Sequence, residues 1–395
     1  METSSSGLSR KSRVLMLSLR NIISHVSRCT GYEFEDAICN FDSVDLVTPR
    51  LNHSLFEVTR RLSKNIGNAI GNGKLFNPLL NQIAIEKEYD IFFFFCQYPY
   101  DILCLNSLKG WREKCKKAVI WLDEIWEKDV HKWKVTLRLL KDFDCIFMNF
   151  SSSIKSVSEI AQRPCHSLPF GVDTVRFCPY PFQTDRSIDV YSMGRRSAVT
   201  HEALLKAGRE GNFFYIYDTI KNLYMLDYKE HRDLTANLLK RSRYFLANKA
   251  KFNAERETNG QEELGSRFFD GAAGGAVMLG EPPNCDAYRE CFDWPDAVIQ
   301  VPYDAANIAE MITELNAQPE RLARIRTDNI VNSLLRHDWV YRWGKILDTV
   351  GLEHTSQMVH READLNNLAE IAVSNATKAR DNTTLLSLTT APLAS

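Results

Sequence analysis

Apolar residues in this chain come in short unbroken runs. Arg13-Val-Leu-Met-Leu-Ser-Leu19, Asp90-Ile-Phe-Phe-Phe-Phe-Cys96, Ala118-Val-Ile-Trp-Leu122 and Cys145-Ile-Phe-Met-Asn-Phe150 read as strands covered on both faces. His131 to Phe143 and Ser151 to Arg163 carry helical spacing instead. Strand and helix in alternation predict βαβ units around a parallel sheet.

The alternation stops at Pro164 and again at Phe177-Cys-Pro-Tyr-Pro-Phe182, because prolines this dense continue neither a helix nor a central strand. A second series begins beyond them: Asp189-Val-Tyr-Ser-Met193, Phe213-Phe-Tyr-Ile-Tyr217, Tyr244-Phe-Leu-Ala247, Ala276-Val-Met-Leu279 and Ala297-Val-Ile-Gln-Val301. From Ala305 the pattern is almost wholly helical. The expected organisation is a leader over 1–12, a first Rossmann-like domain over 13–170, a linker over 171–188 and a second Rossmann-like domain over 189–335. Closing helices are expected over 336–372 and a mobile Thr/Ser/Ala-rich tail over 373–395. Two doubly wound α/β domains of this kind are expected to face each other across a cleft where the carboxyl ends of both sets of strands meet, with the closing helices crossing back, and that cleft is the expected ligand site.

Composition changes this picture little. A length of 395 residues suits two domains, and 44% hydrophobic residues suffice for two cores. Lys plus Arg number 49 against 50 Asp plus Glu, which gives no general electrostatic reason to expect nucleic acid as a partner. The ten cysteines lack a C-x-x-C pair, so they read as reduced thiols of a cytosolic protein. Met1 to Arg13 lacks the apolar core of a signal peptide, and Ile91 to Cys96 falls far short of the ~20 residues that span a bilayer. The expectation is a cytoplasmic protein, soluble or at most peripheral to a membrane.

Three segments carry candidate chemistry. Ser167-Leu-Pro-Phe-Gly-Val-Asp-Thr-Val-Arg-Phe-Cys-Pro179 is a proline-bounded turn in which Gly171 permits positive φ and Asp173 caps the residues after it. It resembles the P-x-G-V-D-x-x-x-F-x-P signature that closes the first domain of retaining family-four glycosyltransferases, enzymes of the GT-B fold. Glu262-Glu-Leu-Gly-Ser-Arg-Phe-Phe-Asp-Gly-Ala-Ala-Gly-Gly-Ala-Val-Met-Leu279 resembles that family's E-x7-E block. The resemblance implies that Glu262 contacts the donor's sugar hydroxyls and Asp270 the ribose, although Asp stands where the family has Glu. Gly265 and Ser266 open a helix whose free N–H groups can face a diphosphate, and Arg267 can add a bidentate grip. Taken singly, each of these charges also fits a solvated helix start.

The third segment is Asp189-Val-Tyr-Ser-Met-Gly-Arg-Arg196, a strand ending in Gly194, Arg195 and Arg196. In related enzymes a G-R pair here is followed, six residues after its Arg, by a Lys, and the two cations neutralise the leaving diphosphate. This chain has His201 at that position. In the first domain, Trp121-Leu-Asp-Glu124 ends a strand where the family presents residues to the acceptor and donor sugar. Asp123 is the candidate, capping of the next helix being its other reading. His337-Asp-Trp-Val-Tyr-Arg-Trp-Gly-Lys345 resembles the family's H-x-W-x-x-R stretch and reads as core packing.

The resemblance, over roughly residues 10–352, implies transfer of a sugar from a nucleoside-diphosphate sugar to a hydroxyl on a glycan, lipid-linked or small-molecule acceptor, with retention. The nucleotide sugar is a co-substrate; no further cofactor and no metal are needed if Arg195, Arg196 and Arg267 neutralise the diphosphate. Glu262 and Asp123 are the catalytic candidates. Gly194, Arg195, Arg196, His201, Gly265, Ser266, Arg267 and Asp270 are the donor-binding ones. A nucleotide-sugar epimerase and a non-catalytic nucleotide-sugar binder are the alternatives.

Overall fold

The computed structural model describes residues 12–182, 185–219 and 223–389, so all but the last residue of the expected leader lies outside the described residues. The chain divides into two compact units, Met1–Leu168 with Trp343–Met358 and Pro169–Arg342 with Val359–Ser395.

The first unit holds a six-stranded parallel sheet built from β1 (Val14–Leu17), β2 (Val44–Val47), β4 (Tyr89–Cys96), β6 (Cys115–Leu122), β7 (Cys145–Met148) and β8 (Cys165–Ser167) in the order β2-β1-β4-β6-β7-β8. A short side pair joins β3 (Ile83–Ala84) to β5 (Leu108–Lys109). The four apolar runs are the four central strands, and β4 shows why such a run lacks alternation. Phe92 and Phe94 enter one apolar core, while Phe93 and Phe95 pack on Phe34, Trp121 and Trp343. Edge strand β2 is only half-buried and left no such run.

Helix His53–Ile70 was not expected, and the single helix expected over His131 to Phe143 is three short turns, Glu127–Trp133, Lys134–Leu137 and Arg138–Asp142. Thr136, Leu137, Leu139 and Leu140 in that stretch are all buried, so the helical spacing marked the buried face although the turns do not join into one helix.

The second unit repeats the design with β9 (Ile188–Ser192), β10 (Tyr215–Tyr217), β11 (Ser242–Leu246), β12 (Val277–Gly280) and β13 (Ile299–Gln300), all parallel in the order β10-β9-β11-β12-β13. In each sheet the chain first steps outward from the first strand and then returns to its other side. The switch points are therefore β1/β4 and β9/β11, and ligands of such sheets bind beyond the strand ends there.

Four helices close the chain: Ile308–Asn316, Pro319–Arg336, Trp339–Val350 and Ser356–Thr389. The last continues through the region expected to be a tail, since neither Gly nor Pro interrupts it before Thr389; residues 390–395 lie outside the described residues. The two signature segments near 171 and 337 meet within the second unit. The Val172 N–H donates to the His337 carbonyl at 3.0 Å and Thr174 Oγ1 to Asp338 at 2.7 Å, while Arg361 reaches both Asp173 and Asp338 at 2.7 Å. A Cβ on Gly171 would lie 2.7 Å from the Trp339 ring, so this approach needs glycine.

Candidate active site

In the second unit, β9 ends at Ser192 and the chain turns through Gly194, at φ 72°, before Ser197 caps helix Ala198–Glu210. That turn places Arg195 and Arg196 at the β9/β11 switch point. A pocket there is lined by Ser192, Arg195, Arg196, Thr200, His201 and Tyr215, with Leu246, Asn248, Leu279 and Gly280 from the ends of the next two strands and Val301 to Tyr303 beyond β13. Its lining mixes apolar strand-end residues, Leu246, Leu279, Val301 and Pro302, with hydroxyl, amide and imidazole groups and two arginines, a composition suited to a ligand with a flat organic part and an anionic part. Tyr303 stacks on Phe252 with ring centroids 3.9 Å apart, and Lys249 lies over Phe252.

Arg196 lies over the Tyr217 ring and donates through Nη2 to the Asp218 carbonyl at 2.7 Å, while its Nη1 is buried with no hydrogen-bond partner among the described residues. Arg195 is exposed. His201 Nδ1 shares a hydrogen bond with the Tyr215 hydroxyl at 3.0 Å, and burial together with the Arg196 charge lowers the imidazole pKa. His201 is therefore neutral at pH 7 and supplies hydrogen bonding rather than charge.

Gly265 precedes helix Ser266–Ala273, and the first N–H groups of that helix receive no side-chain cap. Arg267 extends from its first turn across Gly194: a Cβ on residue 194 would lie 2.3 Å from Arg267 Nη2. Arg195 follows Gly194 directly in the chain, so the two cations lie at the same turn. Burial lowers the Arg267 pKa, only partly offset by Asp218, and among the described residues its guanidinium has no hydrogen-bond partner. A guanidinium is effectively never deprotonated in a protein, so this is a half-buried cation not committed to a hydrogen bond among the described residues.

Glu262 and Asp270 part company. Glu262 pairs with Lys249 and accepts the Asn284 N–H at 2.7 Å. Burial works to raise its pKa, but these partners outweigh it and hold the carboxylate below its ordinary range. Asp270 is 1% exposed and faces inward, where Arg232 holds both of its oxygens at 3.1 and 2.8 Å. The sequence placed Asp270 against a ribose, whereas the structure spends its carboxylate on a buried ion pair. Sequence reading missed Arg232, Asn248, Thr200 and Tyr303. Asn248 and Tyr303 stand just past strand ends, and that position was the signal that could have found them.

In the first unit, Gln97, Asp123 and Asn149 each come directly after the strand ends of β4, β6 and β7 in register. Asp123 accepts from Gln97 Nε2 at 2.6 Å and from Asn149 Nδ2 at 3.0 Å and does not cap a helix. Burial, reinforced by Glu124, raises its pKa well above the usual value against the pull of the two amides. Gln97 Oε1 and Asn149 Oδ1 are buried with no hydrogen-bond partner among the described residues. The arrangement is a polar strand-end cluster with spare acceptors.

Residues 203–348 match the family described as glycosyl transferase-like. The fold is shared with the N-terminal domain of Candida albicans trehalose-6-phosphate phosphatase, at 8% identity and a TM-score of 0.55, over 87% of this chain and 97% of that one. It is GT-B. An α,α-trehalose-phosphate synthase (UDP-forming) from Burkholderia vietnamiensis is similar at 10% identity and a TM-score of 0.50, over 91% of this chain and 98% of that one. No curated protein matches the sequence. The family match contains Glu262, Gly265, Ser266, Arg267 and Asp270, while Gly194, Arg195, Arg196 and His201 precede it. The GT-B glycosyltransferase resemblance read from the motifs thus agrees with both comparisons.

Proposed function

We propose that this GT-B glycosyltransferase-like chain takes its sugar from a nucleoside-diphosphate sugar and passes it, with retention of configuration, to a hydroxyl acceptor. The observation that carries the proposal is the placing of the Arg267 guanidinium against Gly194, the residue before Arg195, at the β9/β11 switch point. Two cations beside an uncapped helix start stabilise a departing diphosphate, whose charge grows as the sugar–oxygen bond breaks. This arrangement supplies the required positive charge without a metal ion. The strand-end pocket that Tyr303 lines suits the nucleoside.

Glu262, fixed in its ionised form by Lys249 and the Asn284 N–H, is assigned to the sugar hydroxyls. The Gln97–Asp123–Asn149 cluster is assigned to the acceptor hydroxyl, for which its spare carbonyl oxygens are acceptors.

The test is product analysis with a panel of nucleoside-diphosphate sugars, with and without hydroxyl acceptors. UDP-sugars come first, since the Burkholderia synthase is described as UDP-forming. Transfer that requires acceptor, persists in EDTA and preserves the anomeric configuration is expected. Acceptor-independent isomerisation of the donor would make the chain an epimerase, and binding without turnover a non-catalytic binder.

A further inference from the structure

Helix His53–Ile70 in the first unit is inside out. Its buried residues are Phe56, Ser63 and Gly67, whereas Leu55, Val58 and Leu62, spaced i, i+3 and i+7, face solvent at 43, 56 and 53% exposure. An amphipathic helix of a self-sufficient domain buries such a stripe. The chain then returns beside the helix, with Thr59 Oγ1 donating to the Pro78 carbonyl at 2.6 Å and Asn106 Nδ2 bonding the carbonyls of Gly73 and Phe76. This fixed loop exposes Leu75, Phe76 and Leu80. Helix and loop, joined through the Thr59–Pro78 bond, thus expose these six large apolar side chains on neighbouring segments.

The charge around the stripe selects its occupant. Residues 52–81 contain Arg60, Arg61, Lys64 and Lys74 against the single acid Glu57, in a chain whose overall balance is 49 to 50. Arg61 is exposed and adjoins Leu62 in sequence, about 100° round the helix. Arg60 and Lys64 pack over Tyr100 and Trp133 on the inner side, Arg60 also pairing with Glu57, while Lys74 stays half-exposed beside Asp142 at 2.7 Å. Among the described residues no helix is long and apolar enough to cross a membrane. A two-fold contact between copies would set the same cations against one another.

We propose that helix His53–Ile70 and the loop to Leu80 dock on an anionic lipid bilayer, lying in its interface with the stripe facing the acyl chains and the exposed Arg61 and Lys74 at the headgroups. An apolar stripe beside basic side chains is what interfacial helices use, and the attraction to anionic lipid falls with salt.

The experiment is co-sedimentation of the full chain with vesicles of phosphatidylcholine alone or mixed with phosphatidylserine. Mixed vesicles should bind at least about tenfold better at low salt and lose that preference at high salt. Leu55→Ser with Leu62→Ser should lower partition about tenfold or more, and Arg61→Glu should remove the preference for phosphatidylserine, both with unchanged circular dichroism. Equal partition to both vesicles, no binding, or double-variant binding equal to the parent would overturn the proposal. So would a dimeric parent that Leu62→Ser turns into a monomer, since the stripe would then be a contact between copies.

Discussion

Arg232 holds both carboxylate oxygens of Asp270, at 3.1 and 2.8 Å, in a place where each side chain is almost wholly buried. Two charges this deep tolerate each other but not the loss of one. Asp270→Asn should therefore cost about 3–5 kcal/mol of stability by leaving Arg232 uncompensated. Asp270→Glu restores the acid usual in the family motif but forces a methylene into a filled site, costing about 1–3 kcal/mol. Urea denaturation measures both. If either variant is as stable as the parent and only donor affinity changes, Asp270 belongs to the ligand site after all.

Arg195→Ala and Arg267→Ala should each weaken binding of a free nucleoside diphosphate while leaving the fold intact. Each removes charge-assisted hydrogen bonds of about 1.5–3 kcal/mol, or about tenfold or more in affinity. Calorimetric titration with UDP reads this directly. Parent-like affinity in both variants would remove the diphosphate from this corner of the second unit.

Gly194→Ala tests the same corner through the backbone. The φ of 72° costs a residue with a Cβ roughly 1–2 kcal/mol, and the added methyl must push aside Arg267 Nη2. Because the guanidinium is the far end of a flexible chain, it yields before the fold does. Weaker diphosphate binding with a modest fall in melting temperature is expected. An unchanged affinity would mean that the position of Arg267 over Gly194 has no part in binding.

Glu262→Gln should lower kcat and kcat/KM together, since hydrogen bonds to the transferred sugar strengthen as its bond to phosphate breaks. The variant keeps the acceptor for the Asn284 N–H but loses the charge facing Lys249. A rise in donor KM at constant kcat would show uniform binding instead and leave no transition-state role for this side chain.

The pH dependence of stability isolates Asp123. A carboxyl whose pKa is raised by folding contributes stability below its unfolded pKa and loses it as pH climbs through the folded one. Asp123→Asn cannot ionise, and after amide flips the spare oxygens of Gln97 and Asn149 can accept its N–H groups. Relative to the parent, the variant should gain urea resistance as pH rises from the ordinary carboxylate range towards neutrality. A parent that becomes the more stable of the two over that rise would show that Asp123 is comfortably ionised. The same variant should lose transferase activity if the cluster holds the acceptor.

The central strands of both sheets were legible in the sequence because parallel strands buried on both faces need unbroken apolar runs, and Phe92 to Phe95 supply one with no polar interruption. The G-R-R turn and the G-S-R helix start were legible as local structure, because glycine marks where a strand or helix ends, whereas the adjacent cations by themselves also fit a solvated end. Edge strand β2 and helix His53–Ile70 were not, since a half-exposed strand needs no such run and the apolar stripe of that helix faces away from the core. Nor could sequence reveal that Asp270 turns inward to Arg232, 38 positions earlier, while Arg267, three positions before it, stays uncommitted over Gly194. Sequence spacing sets which residue types share a helix; which of its faces meets the core is decided by the packing of distant segments, and that packing committed the Asp270 charge to an ion pair and left the Arg267 guanidinium over Gly194.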